Sequence, residues 1–92
     1  MTIEKMLKEG RVLRFEATRD EVERAMEVAR RDLSLAENII GQSKDWCFSI
    51  AYNAVLQASR AYMFHSGYRP ASAESHKNTF EFMKLSVPEE KK

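Results

Sequence analysis

The sequence predicts an all-α protein, an antiparallel helical bundle of about four helices, and three observations carry that expectation. Glycine and proline are sparse, at Gly10, Gly41, Gly67, Pro70 and Pro88, and the intervals between them have helical length. From Val22 to Ile40, apolar residues recur every three or four positions. Between Asp45 and Arg60 no side chain is charged, in a chain where 32% of residues are, so a helix there needs cover over much of its surface. No stretch alternates apolar and polar residues over a useful strand length.

Each element follows from local signals. "TIEKMLKEG" reads as a short first helix with Thr2 as N-cap and Gly10 as its stop. "RVLRFEA" (11–17) either docks Val12, Leu13 and Phe15 on the bundle or is helical itself. "TRDE" fits a capping box, in which the Thr18 hydroxyl accepts from the amide of Glu21 and the Glu21 carboxylate reaches back. The stripe Val22, Met26, Ala29, Leu33, Ala36 and Ile40 then marks the buried face of a second helix, which Gly41 ends. Ser43 or Asp45 caps a third helix that runs to Gly67, where a left-handed glycine and Pro70 stop it and Tyr68 is placed for a hydrophobic capping contact. The two helices, each about 33 Å long at 1.5 Å per residue, form an antiparallel hairpin. Ser72 is placed to cap a fourth helix, "AESHKNTFEFMKL", that buries some of Phe80, Phe82, Met83 and Leu85.

Composition bounds the function. Ninety-two residues make one domain, expected over 1–87, with a charged tail at 88–92 that nothing in its composition orders. A net charge of +1 gives no basic field for non-specific nucleic-acid binding. The lone Cys47 makes no internal disulfide, and two histidines and one cysteine at unrelated spacing make no zinc site. No metal or cofactor is expected. The N-terminus lacks an apolar signal region and no run reaches the length of a membrane span, so a cytosolic, non-membrane protein is the simplest expectation.

Turned at 100° per residue, the third helix sorts into two arcs. Cys47, Phe48, Ile50, Ala51, Ala54, Val55, Ala58, Ala61 and Tyr62 form a broad apolar arc, its alanines suited to close helix packing. Ser49, Asn53, Gln57 and Arg60 lie within about 80° of each other on the other side, with Phe64 beside them. Amides and hydroxyls buried unpaired cost about 1–3 kcal/mol each, so this stripe needs a cover that offers hydrogen bonds. The cover is either another element of the same chain or a second molecule. The candidate binding residues are therefore Ser49, Asn53, Gln57, Arg60 and Phe64.

The run "AYNAVLQASRAYMFHSGYRP", with "SHKNTFEF" after it and "MEVARRDLSLAENII" before it, resembles the HEPN superfamily over about residues 22–83. The matching residues are Ala29, Asp32, Leu33, Ala51, Tyr52, Ala54, Ala58, Ala61, Gly67, Ser75 and His76. The resemblance implies an all-α bundle that dimerises, often paired with a minimal nucleotidyltransferase as a toxin–antitoxin system. Active members are metal-independent endoribonucleases with an R-x4-6-H motif, in which the histidine accepts the 2′-hydroxyl proton and the arginine stabilises charge on the phosphate. That spacing occurs here at Arg60–His65 and at Arg69–His76. The family carries the motif on a last long helix that this sequence lacks, and Ala61 and Pro70 stand where a polar residue usually follows the arginine.

Three readings follow. The leading one is a small interaction module that pairs with itself or with a nucleotidyltransferase-type partner. The second is a ribonuclease whose motif is completed across a dimer, because Arg60 and His65 lie about 140° apart around one helix. The third is a small-nucleotide pocket lined by Asn53, Gln57 and Arg60. Simpler roles exist for the same residues: His65 as a helix-terminal histidine bonded to carbonyls of the last turn, His76 as a capping or packing residue, and the aromatics as core or interface.

Overall fold

The computed structural model describes residues 1–86, and the tail expected at 88–92 lies outside the described residues. The order is α1 (Ile3–Lys8), β1 (Val12–Arg14), α2 (Arg19–Ile39), α3 (Lys44–Ser66), β2 (Tyr68–Pro70) and α4 (Ser75–Ser86). Helices dominate, and the chain is an all-α bundle built on the α2–α3 hairpin.

The capping chemistry holds residue by residue. Thr2 Oγ1 accepts from the Lys5 amide at 3.1 Å and starts α1. At α2 both halves of the box are made: the Glu21 amide donates to Thr18 Oγ1 at 3.1 Å, and the Thr18 amide donates to Glu21 Oε1 at 2.8 Å. Ser43 Oγ accepts from the Trp46 amide at 3.2 Å and opens α3. Gly67, at φ 96, closes α3 in the left-handed conformation, its N–H shared between the carbonyls of Met63 and Phe64.

The two short strands are a departure from the sequence reading. "RVLRFEA" is neither helical nor merely docked: Val12–Arg14 pairs antiparallel with Tyr68–Pro70, in the register Val12↔Pro70, Leu13↔Arg69, Arg14↔Tyr68. Hydrogen bonds from the Phe15 amide to the Gly67 carbonyl and from the Ala71 amide to the Arg11 carbonyl flank the ribbon. Bonded pairs alternate with unbonded ones in an antiparallel ladder, so Pro70 falls opposite Val12 where no N–H is needed. Three residues are too few for a period-two pattern to show. Tyr68 accordingly sits in a strand, its ring 5.2 Å from that of Phe82.

The core lies at one end of the hairpin. Met6, Val12, Met63 and Phe82 are fully enclosed, with Ile3, Leu7, Tyr68 and Met83 packed around them. Arg11 ties this end together, its Nε donating to Asn78 Oδ1 at 3.0 Å while its guanidinium lies 3.8 Å from Glu81. Ser72 does not cap α4, which begins at Ser75 and is entered through Glu74 at φ 54. Asn78 holds that entry, its side-chain amide donating to the Ala73 carbonyl at 3.0 Å.

Along the hairpin the burial is rolled relative to the sequence pattern. Alanines form the seam: Ala25, Ala29 and Ala36 on α2, with Ala54 and Ala61 on α3. Of the stripe expected to be buried on α2, Leu33 and Ile40 are instead 52% and 61% exposed. On α3, Phe48, Val55 and Tyr62 of the expected core arc are also exposed, whereas Leu56, Ser59 and Met63 are buried. The physical reason is that small side chains let the two backbones approach, which turns the bulky residues beside them outward. The β-ribbon and α4 then cover only one flank of α3.

Candidate functional site

Part of the polar stripe of α3 finds its cover inside the chain. Asn53 is half-buried and its Nδ2 donates to Asp32 Oδ2 at 2.7 Å. Asp32, 7% exposed, receives Arg31 Nε and Nη2 on its other oxygen at 3.3 and 3.2 Å. Both carboxylate oxygens are therefore engaged, and the α2–α3 register is fixed by a bonded charge inside an alanine seam. Phe64 packs on Phe15 at 5.2 Å between centroids, and the Arg69 guanidinium lies 5.8 Å from the same Phe15 ring. Gln57 and Arg60 are half-buried, and Ser49 is exposed. Of the two covers left open by the sequence, the intramolecular one is realised at Asn53 and Phe64.

The two R-x4-6-H pairs are not assembled within one chain. The third helix is intact through Ser66, so no fraying of its last turn brings Arg60 toward His65. His65 is exposed and lines the α2 side of α3 with Val22, Met26 and Tyr62. Arg69 engages Phe15, while the His76 ring lies tilted against Tyr52 at 6.2 Å between centroids, within an aromatic run that includes Phe48 and Phe80. Among the described residues neither pair shares a hydrogen bond, a ring contact or a pocket. Nor do three or more His, Cys, Asp or Glu side chains gather among the described residues in a group that could hold a metal ion.

What the structure does assemble is an open apolar face. Phe48, Val55 and Tyr62 recur every seven residues on α3 and are 72%, 56% and 40% exposed, with Tyr52 adjoining them. Leu33 and Ile40 extend this surface on α2. Between the helices runs a groove of about 210 Å³ lined by Met26, Ala29, Leu33, Ala54, Val55 and Ala58, with Arg30 at its edge. Cys47 flanks the seam, half-buried, its thiol donating to the Ala36 carbonyl at 3.3 Å. The sequence contained the signal for this face in its uncharged run. The broad apolar arc divides in the structure: Ala54 and Ala61 enter the seam, whereas Phe48, Val55 and Tyr62 stay exposed.

No helix among the described residues is long and apolar enough to cross a membrane. Comparison with protein-family models, with curated proteins and with solved structures finds no match to this chain.

Proposed function

We propose that this chain is a non-catalytic helical assembly module that associates with a second copy through the open face of the α2–α3 hairpin. One observation carries the reading: the contiguous, uncharged and exposed stripe of Phe48, Val55 and Tyr62, with Leu33 beside it. Single exposed apolar residues are ordinary on protein surfaces, but a continuous patch along a helix hairpin marks an interaction site. The resemblance to dimerising HEPN domains supports the same reading. A nucleotidyltransferase-type partner, in a toxin–antitoxin-like pair, is the alternative occupant, and the proposal assigns no chemistry to Arg60, His65, Arg69 or His76. Sedimentation equilibrium of the full chain tests it, with a dimer expected in the micromolar range typical of modest interfaces. Tyr62→Lys, at a site already exposed, is expected to weaken association at least tenfold without loss of helical circular dichroism. A strict monomer up to about 100 µM overturns self-assembly, since the dimer is expected in the micromolar range.

A further inference from the structure

The stripe has a symmetry of its own. Phe48 and Tyr62 stand seven residues on either side of Val55, both aromatic, both exposed and in line with it along α3. Reversing the helix about Val55 sets Phe48 against the partner's Tyr62 and returns Val55 to itself. From Trp46 to Ser59 there is no charged residue on α3, so within that span reversal opposes no like charges. Resting on the reading above, we infer that two copies pack α3 against α3 in antiparallel fashion, with a two-fold axis passing through Val55.

The area supports this occupant. The exposed parts of Phe48, Tyr52, Val55, Tyr62, Leu33 and Ile40 amount to on the order of 600 Å² per copy, against about 800 Å² per partner in a standard interface. This is the lower end of the standard range, and the groove between α2 and α3, with exposed Arg30 at its edge, belongs to the same surface. An isologous contact of this kind closes on itself, so assembly stops at two copies. A parallel arrangement of the same stripe matches less well. It pairs Phe48 with Phe48 and Tyr62 with Tyr62, and it also brings the Lys44 and Asp45 ends of both helices together, like charge against like.

A charge-pairing experiment reads the axis directly. Val55 is already 56% exposed in one chain, so charged replacements leave the monomer folded, which circular dichroism verifies. Val55→Asp and Val55→Lys, each alone, oppose two like charges at the axis and are expected to sediment as monomers where wild type is a dimer. Mixed in equal amounts they are expected to form a one-to-one heterodimer at least tenfold tighter than either variant alone. A wild-type dimer with both variants also dimeric places Val55 off the axis and overturns the inference while leaving self-assembly standing. Monomeric variants whose mixture remains monomeric overturn it equally, since Val55 then does not face itself. A monomeric wild type overturns the inference and the proposed function together.

Discussion

Asn53→Ala tests the claim that an internal polar bond, rather than a second molecule, covers the α3 stripe. In the folded chain Asn53 Nδ2 is 2.7 Å from Asp32 Oδ2, and the Asp32 side chain is only 10% exposed. Truncation leaves that oxygen with no protein donor and little access to water. Leaving a buried acceptor unpaired costs about 1–3 kcal/mol, with a charged acceptor toward the upper end. A domain of this size is stable by about 5–10 kcal/mol, so the loss is a substantial fraction of the total. Urea unfolding at fixed protein concentration is the assay. With a slope of about 1 kcal/mol/M, the midpoint should fall by about 1 M or more. The molecule supplies its own control. Arg31 approaches the other oxygen of Asp32 with a side chain that is 72% exposed, and solvent-screened pairs contribute only about 0–1 kcal/mol. Arg31→Ala should therefore cost clearly less than Asn53→Ala. A loss below about 0.3 kcal/mol for Asn53→Ala, or equal losses for both, refutes the reasoning, because the bond would then add nothing beyond solvent contact.

Two further changes probe the scaffold in opposite directions. Gly67→Ala meets no atom within 4 Å of the added Cβ, so its cost is the left-handed backbone at φ 96 alone; about 1–2 kcal/mol of lost stability in urea unfolding is expected, and an unchanged midpoint contradicts that account of the cap. Thr79 is fully enclosed and its hydroxyl has no hydrogen-bond partner among the described residues, so Thr79→Val, which keeps the shape and removes the orphan group, is expected to raise the melting temperature by a few degrees, about 4–8 °C per kcal/mol gained. A drop in melting temperature would show that the hydroxyl is satisfied in solution.

The helices were legible because their signals are local. Thr2, Thr18 and Ser43 cap the helices they precede, Gly67 stops the third, and each of these depends on residues no more than four positions away. The ribbon was not legible, because Val12–Arg14 and Tyr68–Pro70 acquire strand geometry only from each other, across at least 54 positions of sequence. The rolled hairpin failed for a different reason. Periodicity locates a stripe but not which of two adjacent stripes meets the neighbour. Ala29 and Ala36 of the expected stripe are buried as the pattern predicts, but Ala25 and Asp32 join them in place of Leu33 and Ile40, in a close seam that admits the Asp32–Asn53 bond. Asp32 follows Arg30 and Arg31 with no local signal of burial; its burial shows only once Asn53, 21 residues later, is placed opposite. The open face follows from the same roll, which turns Phe48, Val55 and Tyr62 outward beside the alanine seam.

That rotation also explains why so small a chain leaves large residues uncovered. Its fully enclosed cluster, Met6, Val12, Met63 and Phe82, gathers where α1, the ribbon and α4 meet the C-terminal end of α3. Toward the opposite end, Ile40 and Phe48 are exposed beside an alanine seam that buries little area per residue. A chain of about 90 residues buries only a little over 60% of its unfolded surface. Burial is therefore uneven by construction: one end is cross-braced and the other is a bare hairpin. Covering the Phe48–Tyr62 stripe adds apolar burial where the monomer has least, so association and folding of that end are thermodynamically linked. Under that linkage Val55→Asp, which breaks the contact without touching the enclosed cluster, should increase amide exchange at the α2–α3 turn far more than around Met63 and Phe82. Uniform loss of protection along both helices would mean that the two ends are a single cooperative unit and that the open face stabilises neither in particular.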